Sequence, residues 1–237
     1  MKVDNKENKE ENKEENKEDN KEENKEENKE ENKKEIRKKL IGEGNSGIIY
    51  ELDGKQAKKV FKNKKFFEAE LQILEKTKGL NHVISVKKIS KDDITIYMEF
   101  IPFNLEKIIT GKYPKKLHEF NKNKIMLELL TGLKSLHSRS IIHNDFKAKN
   151  IQVTDNSDIK IIDFDSSDFN LKSLPKRIED VNKAKIIILQ IINKRTYLYT
   201  FKNRDKYLNK IEDKRFKEIM EFDRYNLNEL LNYVKKM

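Results

Sequence analysis

The sequence predicts an α+β fold with two lobes, in which a small antiparallel sheet of five strands and one helix precedes a reduced, mainly helical second lobe. Short runs rich in strand formers, separated by turn residues, occupy most of residues 35–101. Amphipathic helical periodicity dominates residues 102–237, and a charged loop follows its first long helix. We therefore expect three parts: a charged tail at residues 1–34, a first lobe at 35–101 and a second lobe at 102–237.

The tail repeats Asn-Lys-Glu-Glu, a period of four, between Asn5 and Asn32. Identical charges then recur at i and i+4 of any helix, which disfavours a stable helix. We therefore expect the tail to be disordered or partly helical. Residues 1–32 hold 8 Lys and 14 Asp or Glu, a net charge of −6, whereas the whole chain carries +10, which leaves +16 on residues 33–237.

The basic charge of residues 33–237 has two interpretations. It is compatible with association with RNA or the ribosome. However, Lys, Asn, Ile and Glu are frequent throughout the chain, and the lysines are not interleaved with aromatic residues as in single-strand binders. Composition alone therefore accounts for the charge without a nucleic-acid partner.

The remaining bulk properties predict a soluble, cytoplasmic protein without membrane association. The chain has no cysteine, so neither disulfides nor thiolate metal sites are expected. Its N-terminus lacks an apolar signal region, and the longest apolar run, Ile186 to Ile192, is interrupted by Gln190.

A glycine-rich segment opens the first lobe. Gly42, Gly44 and Gly47 form a G-x-G-x-x-G pattern, which alone is weak evidence because a plain glycine turn would also satisfy it. The next segments are a strand-like run, the turn Asp53-Gly54 and a second strand-like run. The glycines therefore join strand to strand rather than strand to helix as a dinucleotide-binding turn requires. We expect a hairpin whose backbone amides cover phosphate groups.

The second strand of this hairpin and the following helix supply a lysine and a carboxylate. Alternate residues of a strand share a face, so Ala57 and Lys59 lie together while Lys58 points away. A small residue leaves room for a nucleotide base, and the lysine can reach its phosphates. The amphipathic helix expected over 66–75 offers Glu70 as the partner of Lys59, with Glu68 as the alternative. Two further strands are expected, at 83–89 and 93–100.

The charged loop lies in the second lobe, after a long helix. The apolar side chains on one face of this helix are expected to be buried in the core: Met126, Leu129, Leu130, Leu133 and Leu136. Asp145 precedes Asn150 by five residues, and Asp163 directly follows the apolar run 159–162. A hairpin with its turn at 154–158 would bring Asp163 beside Asn150, so that two oxygen ligands could bind Mg²⁺. Asp145 could then act as a base on an acceptor hydroxyl, with Lys147 near the transferring phosphoryl oxygens.

This pattern, H-x-D-x-K-x-x-N followed by D-F, resembles the protein-kinase-like superfamily between about Leu40 and Gln190. The lysine two residues after the catalytic aspartate is similar to that of the serine/threonine branch of the family. The whole chain resembles a compact, atypical form of that branch. The resemblance implies a bilobal kinase fold and the cofactors ATP and Mg²⁺. It further implies nucleotide contacts at Ile49, Met98, Glu99 and Ile101, and supporting roles for Leu74, His143, Phe164 and Asp180.

The resemblance implies that His143 packs against Phe164. It also implies that Asp180 anchors the catalytic loop from a helix that includes 184–192. Three departures from the family pattern are present. Asn144 replaces an arginine that clamps a phosphate on the activation segment, Asp165 replaces the glycine of D-F-G, and no Ala-Pro-Glu motif follows. Helices are also expected between 204 and 237, and no catalytic residues are expected in them.

The function that this resemblance implies is a protein kinase acting on serine or threonine hydroxyls of an unidentified protein substrate. A kinase for a small hydroxyl compound, of the sugar, aminoglycoside or lipopolysaccharide type, is the alternative, because only sixteen residues separate Asp163 from Asp180. A nucleotide-binding pseudokinase scaffold is a third possibility, favoured only by Asp165.

Overall fold

The computed structural model describes residues 38–113, 120–169, 173–193, 218–219, 221–222 and 226–237. The chain divides into two units, residues 1–39 and 40–237. Almost all of the first unit, including the predicted charged tail, lies outside the described residues. The second unit carries the fold described below.

The first lobe is a five-stranded sheet with the strand order β1-β2-β3-β5-β4, and the five strands confirm the antiparallel sheet expected from the sequence. Its strands are β1 Lys38–Glu43, β2 Gly47–Leu52, β3 Gln56–Phe61, β4 Val86–Ser90 and β5 Thr95–Glu99. Strands β2 and β3 are joined by the predicted turn, in which Asp53 and Gly54 have φ values of 51° and 73°. Positive φ at both central residues is what a type I′ hairpin requires.

Gly47 lies where β2 approaches β3 most closely. A Cβ atom built at this residue would be 2.4 Å from the carbonyl oxygen of Val60, which belongs to the backbone and cannot swing away. A Cβ atom at Gly44 would meet nothing within 4 Å. Glycine is therefore required sterically at the end of the glycine-rich segment but not at its centre.

Helix α1, Lys64–Thr77, packs its apolar face on this sheet and begins two residues before the predicted start. Asn63 caps it, since its side-chain oxygen accepts a hydrogen bond from Phe66 N–H at 3.0 Å. The other end of α1 is bound by the second lobe. One guanidinium nitrogen of Arg139 donates to the carbonyl oxygens of Lys76 and Lys78, at 2.7 and 2.9 Å, and so satisfies groups that a helix end leaves unpaired.

The second lobe is mainly helical, as predicted, with α2 Leu105–Ile109, α3 Lys122–Ser138, α4 Leu174–Asn193 and α5 Leu227–Lys236. Its short strands are β6 Phe103–Asn104, β7 Ile141–Ile142, β8 Ile151–Val153, β9 Ile159–Ile161 and β10 Asp168–Phe169, and Ala148–Asn150 forms a single 3-10 turn. None of the helices in the described part of the chain is long and apolar enough to cross a membrane.

Helix α4 starts ten residues before the apolar run 184–192 that indicated it. The early turns are polar and therefore lack a continuous apolar signal, yet Asp180 and Val181 within them are buried. The predicted stripe of α3 is fully buried, and the hairpin β8–β9 pairs as expected. The prediction of helices at 204–217 lies outside the described residues.

The two lobes share one hydrophobic core. The segment that follows α1 joins β9 through a parallel bridge between Val83 and Ile161. Ile84 N–H donates to the carbonyl oxygen of Ile161 at 3.1 Å, and Ile161 N–H donates to that of His82 at 2.8 Å. The sheet and α1 are thus bonded directly to the hairpin that ends at Asp163.

Replacing Gly47 by alanine should lower the free energy of unfolding by about 1–3 kcal/mol, because the new methyl group forces β2 away from β3. Gly44→Ala is the matched control and should change it by no more than about 0.5 kcal/mol. Urea unfolding of both variants checks this. Equal stability of the two variants would contradict the close approach at Gly47.

Candidate active site

Strand β3 and helix α1 bring Lys59 and Glu70 together in the interior. Lys59 Nζ donates to Glu70 Oε2 at 2.5 Å, and the two residues are only 4% and 3% exposed. The alternative partner, Glu68, is exposed and lies 3.6 Å from Lys64 on the outer face of α1. The structure therefore distinguishes the two carboxylates that the sequence left open, in favour of Glu70.

The electrostatics of Lys59 follow from this burial. Desolvation by itself lowers the pKa of a buried lysine, but the attached Glu70 carboxylate outweighs it, and the pKa of Lys59 is raised above its usual value. Asp163 Oδ1 lies 3.6 Å from Lys59 Nζ and acts in the same direction. Lys59 is therefore a charged group held between two carboxylates, one buried and one partly exposed.

In the loop after β7, two neighbouring side chains hold Asp145. Lys147 Nζ donates to Asp145 Oδ2 at 2.6 Å. Asn150 Nδ2 donates to the same oxygen at 3.1 Å and to the backbone carbonyl of Asp145 at 3.0 Å. Among the described residues, none donates a hydrogen bond to Asp145 Oδ1, and the side chain is 33% exposed. One carboxylate oxygen is therefore fixed while the other can meet a ligand.

Asp180 of α4 supports this loop from inside the second lobe. Its side chain is fully buried, and its two oxygens accept the backbone N–H groups of His143, at 2.8 Å, and of Asn144, at 3.0 Å. His137 Nε2 lies 3.2 Å from Asp180 Oδ2. These contacts fix the start of the loop two residues before Asp145.

His143 packs against Phe164, with ring centroids 5.1 Å apart, as the sequence indicated. Its Nε2 lies 3.1 Å from the carbonyl oxygen of Ile162, and Nδ1 has no partner among the described residues. Burial lowers the pKa of His143, so the ring is neutral and donates from Nε2. Leu74 is buried in the same core as Phe164.

Asn150 and Asp163 lie on neighbouring segments because Ile162 N–H donates to the carbonyl oxygen of Asn150 at 3.0 Å. The Asn150 amide nitrogen donates to Asp145, so its side-chain oxygen is the atom that could bind a metal ion. Asp163 has φ of 68° and a side chain 35% exposed. A carboxylate and an amide oxygen are ligands that Mg²⁺ accepts, so these residues fit such an ion.

The expected nucleotide positions line the inner side of the sheet. Ala57 lies opposite Met98 in the pairing of β3 with β5, and both are buried. Glu99 N–H donates to Ser85 O at 3.0 Å, and its carboxylate is 2.8 Å from Ser85 N and 3.2 Å from Lys160 Nζ. The backbone N–H and the carboxylate of Glu99 are therefore both engaged within the protein.

The remaining residues expected to contact a nucleotide are Ile101 and those of the glycine hairpin. Ile101 follows β5 and is half-buried. On the glycine hairpin, a Cβ atom at Gly42 would touch only Ile49, at 3.7 Å, and one at Gly44 nothing, so these glycines leave space beside the hairpin.

Three contacts of the site were missed from the sequence. The sequence indicates for Asn144 only that an arginine is absent, yet its Nδ2 donates to the carbonyl oxygen of Ser166 at 2.8 Å. Its φ of 64° is a conformation that asparagine tolerates better than most residues, but nothing local predicted the partner. The contacts of Arg139 with α1 and of Lys160 with Glu99 join residues 61 positions apart or more and carry no sequence signal.

The five-stranded lobe and the loop below it define a protein-kinase-like domain. The family model described as "Protein kinase domain" matches residues 35–184, and the chain belongs to this family.

Similar curated proteins agree with this class. The chain is 25% identical over 173 residues to "Extracellular signal-regulated kinase 2" of Dictyostelium discoideum, which covers 66% of this chain and 45% of that protein. It is 32% identical over 148 residues to "Serine/threonine-protein kinase 10" of Xenopus tropicalis, covering 58% and 16%. For "Cyclin-dependent kinase-like 1" of Caenorhabditis elegans, identity is 29% over 136 residues, covering 52% and 38%. The matched part thus spans less than half of these relatives.

Lys59→Met should lower the free energy of unfolding by about 3–5 kcal/mol, because it leaves the buried Glu70 carboxylate without its partner. Adding Glu70→Leu should recover most of this loss, since both buried charges are then removed. Lys58→Met, on the opposite face of β3, is the control and should cost less than about 1 kcal/mol. Urea unfolding without nucleotide measures all three variants. A single Lys59 variant as stable as the wild type would contradict the proposed burial of the pair.

The lowered pKa of His143 predicts a loss of stability in acid. The unfolded chain binds this proton near the ordinary value of 6.5, whereas the folded protein binds it only at lower pH. Stability from this residue is therefore full above 6.5 and decreases as pH falls towards the lowered pKa.

His143→Phe removes this titration and should reduce the difference in unfolding free energy between about pH 7.5 and about pH 5. At both pH values the variant should lose about 1–3 kcal/mol, because the Ile162 carbonyl loses its donor. Urea unfolding at the two pH values, compared with the wild type, measures the difference. An unchanged pH dependence would exclude His143 as its source.

Proposed function

We propose that the protein is a kinase that transfers the γ-phosphate of Mg-ATP to a serine or threonine hydroxyl of a protein. The observation that carries this proposal is the position of Asp163, 3.6 Å from the Lys59–Glu70 pair and bonded through its neighbour Ile162 to Asn150 of the Asp145 loop. The groups that would hold phosphates, metal and acceptor are thus linked to one another by these contacts. The kinase names of the similar proteins support the same reaction.

Each group has a role that its contacts permit. Lys59, oriented by Glu70, would bind the α- and β-phosphates, and the amides of the glycine hairpin at Gly42, Gly44 and Gly47 would cover them. Ala57, Met98 and the backbone of Glu99 and Ile101 would enclose the base, with Ile49 above it. Asn150 and Asp163 would hold Mg²⁺, which neutralises phosphate charge when bound.

The acceptor hydroxyl would meet Asp145. Its Oδ2 is fixed by Lys147 and Asn150, so Oδ1 can accept the hydroxyl proton and orient the oxygen towards the γ-phosphorus. Lys147, 48% exposed, can move from Asp145 to the transferring phosphoryl oxygens as negative charge accumulates there. Serine or threonine as the acceptor is supported by Lys147 and by the name of the Xenopus relative.

A second candidate function is transfer to a small hydroxyl compound. The observation in its favour is the short segment between Asp163 and the start of α4 at Leu174, which leaves little chain for docking a peptide. A pseudokinase scaffold is opposed by the joint presence of Lys59, Asp145 and Asp163. Association with RNA or the ribosome and a cytoplasmic location stay predictions.

Asp145→Asn should lower the rate of phosphate transfer by roughly 10²-fold or more, because the amide cannot accept the hydroxyl proton. The assay is transfer of label from γ-labelled ATP, with Mg²⁺, to the protein itself and to generic protein substrates. Asp155→Asn, in the turn after β8, is the matched acid-to-amide control and should leave the rate unchanged.

The three candidate functions give different outcomes in this assay. Label on protein that disappears in the Asp145 variant supports a protein kinase. Asp145-dependent ATP hydrolysis without labelled protein would instead favour a small-molecule kinase. Nucleotide binding without labelling or hydrolysis would contradict both and leave the scaffold.

A further inference from the structure

A groove beside the C-terminal end of α1 lies outside the candidate active site. Its volume is about 570 Å³, and it is lined by the last turns of α1, the connection over residues 78–85, strand β4 and Lys160 of β9. None of the residues expected to bind nucleotide, metal or acceptor lines it. A volume of this size accommodates several side chains of a ligand. The groove is therefore a second candidate binding site.

Part of the lining of this groove is apolar. Leu71 and Leu74 of α1, with Val83 and Ile84 of the connection, line it and belong to the hydrophobic core. Ile89 of β4 also lines it, yet the Ile89 side chain is 37% exposed. A large aliphatic side chain that stays in contact with water beside a groove offers surface that a ligand can bury.

The border of the groove is basic, because three of its lining residues are exposed lysines: Lys78, Lys87 and Lys88. In the part of the chain that the structure describes, no carboxylate lies within 4.0 Å of these three amines. Lys160, by contrast, is paired with Glu99 at 3.2 Å. Glu75 is the acidic residue of the lining. Three unpaired lysines against one glutamate leave an excess of positive charge, which favours an acidic ligand.

Strand β4 is an edge of the five-stranded sheet and pairs with β5 alone. The register of this pairing shifts between Val86 and Lys88, so Lys87 has no partner residue on β5. An edge strand leaves backbone N–H and carbonyl groups on its outer side for another strand. An extended peptide could therefore form backbone hydrogen bonds with β4 while its alternate side chains enter the groove.

Charge and apolar surface together select among the possible occupants. If β4 paired with β4 of a second copy, the lysines of the two strands would repel one another. The Asn-Lys-Glu-Glu repeat between Asn5 and Asn32 has carboxylates but no apolar side chain to contact Ile89. A segment of another protein that has both acidic and aliphatic residues meets both requirements.

We propose that this groove binds an extended segment of a partner protein in which acidic residues alternate with aliphatic ones. The backbone of the segment pairs with β4, and its aliphatic side chains contact Ile89 and the apolar lining. Its carboxylates bind Lys78, Lys87 and Lys88. The proposal goes beyond the transfer reaction and does not depend on it, because this binding requires neither nucleotide nor Mg²⁺.

The probe is a fluorescein-labelled peptide of about eight residues, a common strand length, in which glutamate alternates with valine. Its binding to the full chain is measured by fluorescence anisotropy without nucleotide. A peptide of the same length in which glutamate alternates with serine has the same charge but no large apolar side chain. Comparing the two peptides therefore separates attraction between charges from burial of apolar surface.

Two variants change the groove: Ile89→Asp, and Lys78→Glu combined with Lys87→Glu. Lys65→Glu combined with Lys134→Glu is the matched control, because both lysines are exposed and lie outside the groove, and the change in net charge is the same. Circular dichroism first establishes that each variant is folded. The two groove variants test the apolar and the basic part of the site separately.

We expect the wild type to bind the glutamate–valine peptide roughly tenfold more tightly than the glutamate–serine peptide. The double lysine variant of the groove should weaken binding roughly tenfold or more, and Ile89→Asp roughly fivefold or more. The control should stay within about twofold of the wild type, since exposed charges far from the peptide are screened. Raising the salt concentration from about 0.05 M to about 0.5 M should weaken binding several-fold.

Absence of binding to the wild type would overturn the proposal, as would groove variants that bind like the control. Equal affinity for the two peptides would also overturn it, because the attraction would then be between charges alone. Stronger displacement of the probe by a synthetic peptide of residues 5–32 than by unlabelled probe would assign the groove to the chain's own repeat instead. A wild-type dimer that Ile89→Asp abolishes would assign it to a second copy.

Discussion

The buried carboxylate of Asp180 holds the loop on which the site depends. A charge without solvent is costly unless several donors surround it, and Asp180 meets this condition through the backbone N–H groups of His143 and Asn144 and the ring of His137. The same bonds satisfy backbone donors that a buried loop would otherwise leave unpaired. The Asp180 carboxylate in α4 thereby fixes the path of the chain between β7 and Asp145.

The Lys59–Glu70 pair depends on a second constraint, the position of α1 between the lobes. Arg139 at the end of α3 bonds to the last carbonyls of α1, and the following residues pair with β9. Helix α1 is therefore attached directly to the lobe that carries Asp163. The buried pair of the first lobe is thus held within reach of Asp163 in the second lobe, 3.6 Å from Lys59 Nζ.

Much of the fold could be predicted because its signals are local. The Asp53-Gly54 turn, the alternation that puts Ala57 and Lys59 on one face, and the apolar stripe of α3 depend on neighbours within a few residues. The start of α4 could not be predicted, since its first turns are polar and their burial depends on the loop that Asp180 binds. For Asn144 the sequence indicates only that an arginine is absent, and its contact with Ser166, 22 positions away, leaves no local pattern.

The sequence by itself determined which chemical groups are present and in what order, because the spacing of Asp145, Asn150 and Asp163 is a property of the chain. It also determined the family, since the protein kinase family model matches residues 35–184. Only the tertiary structure decided that Glu70 rather than Glu68 meets Lys59, and that Asn144 binds Ser166. Such choices depend on which side of a helix or loop faces a distant segment, and pairs separated by tens of residues leave no local pattern.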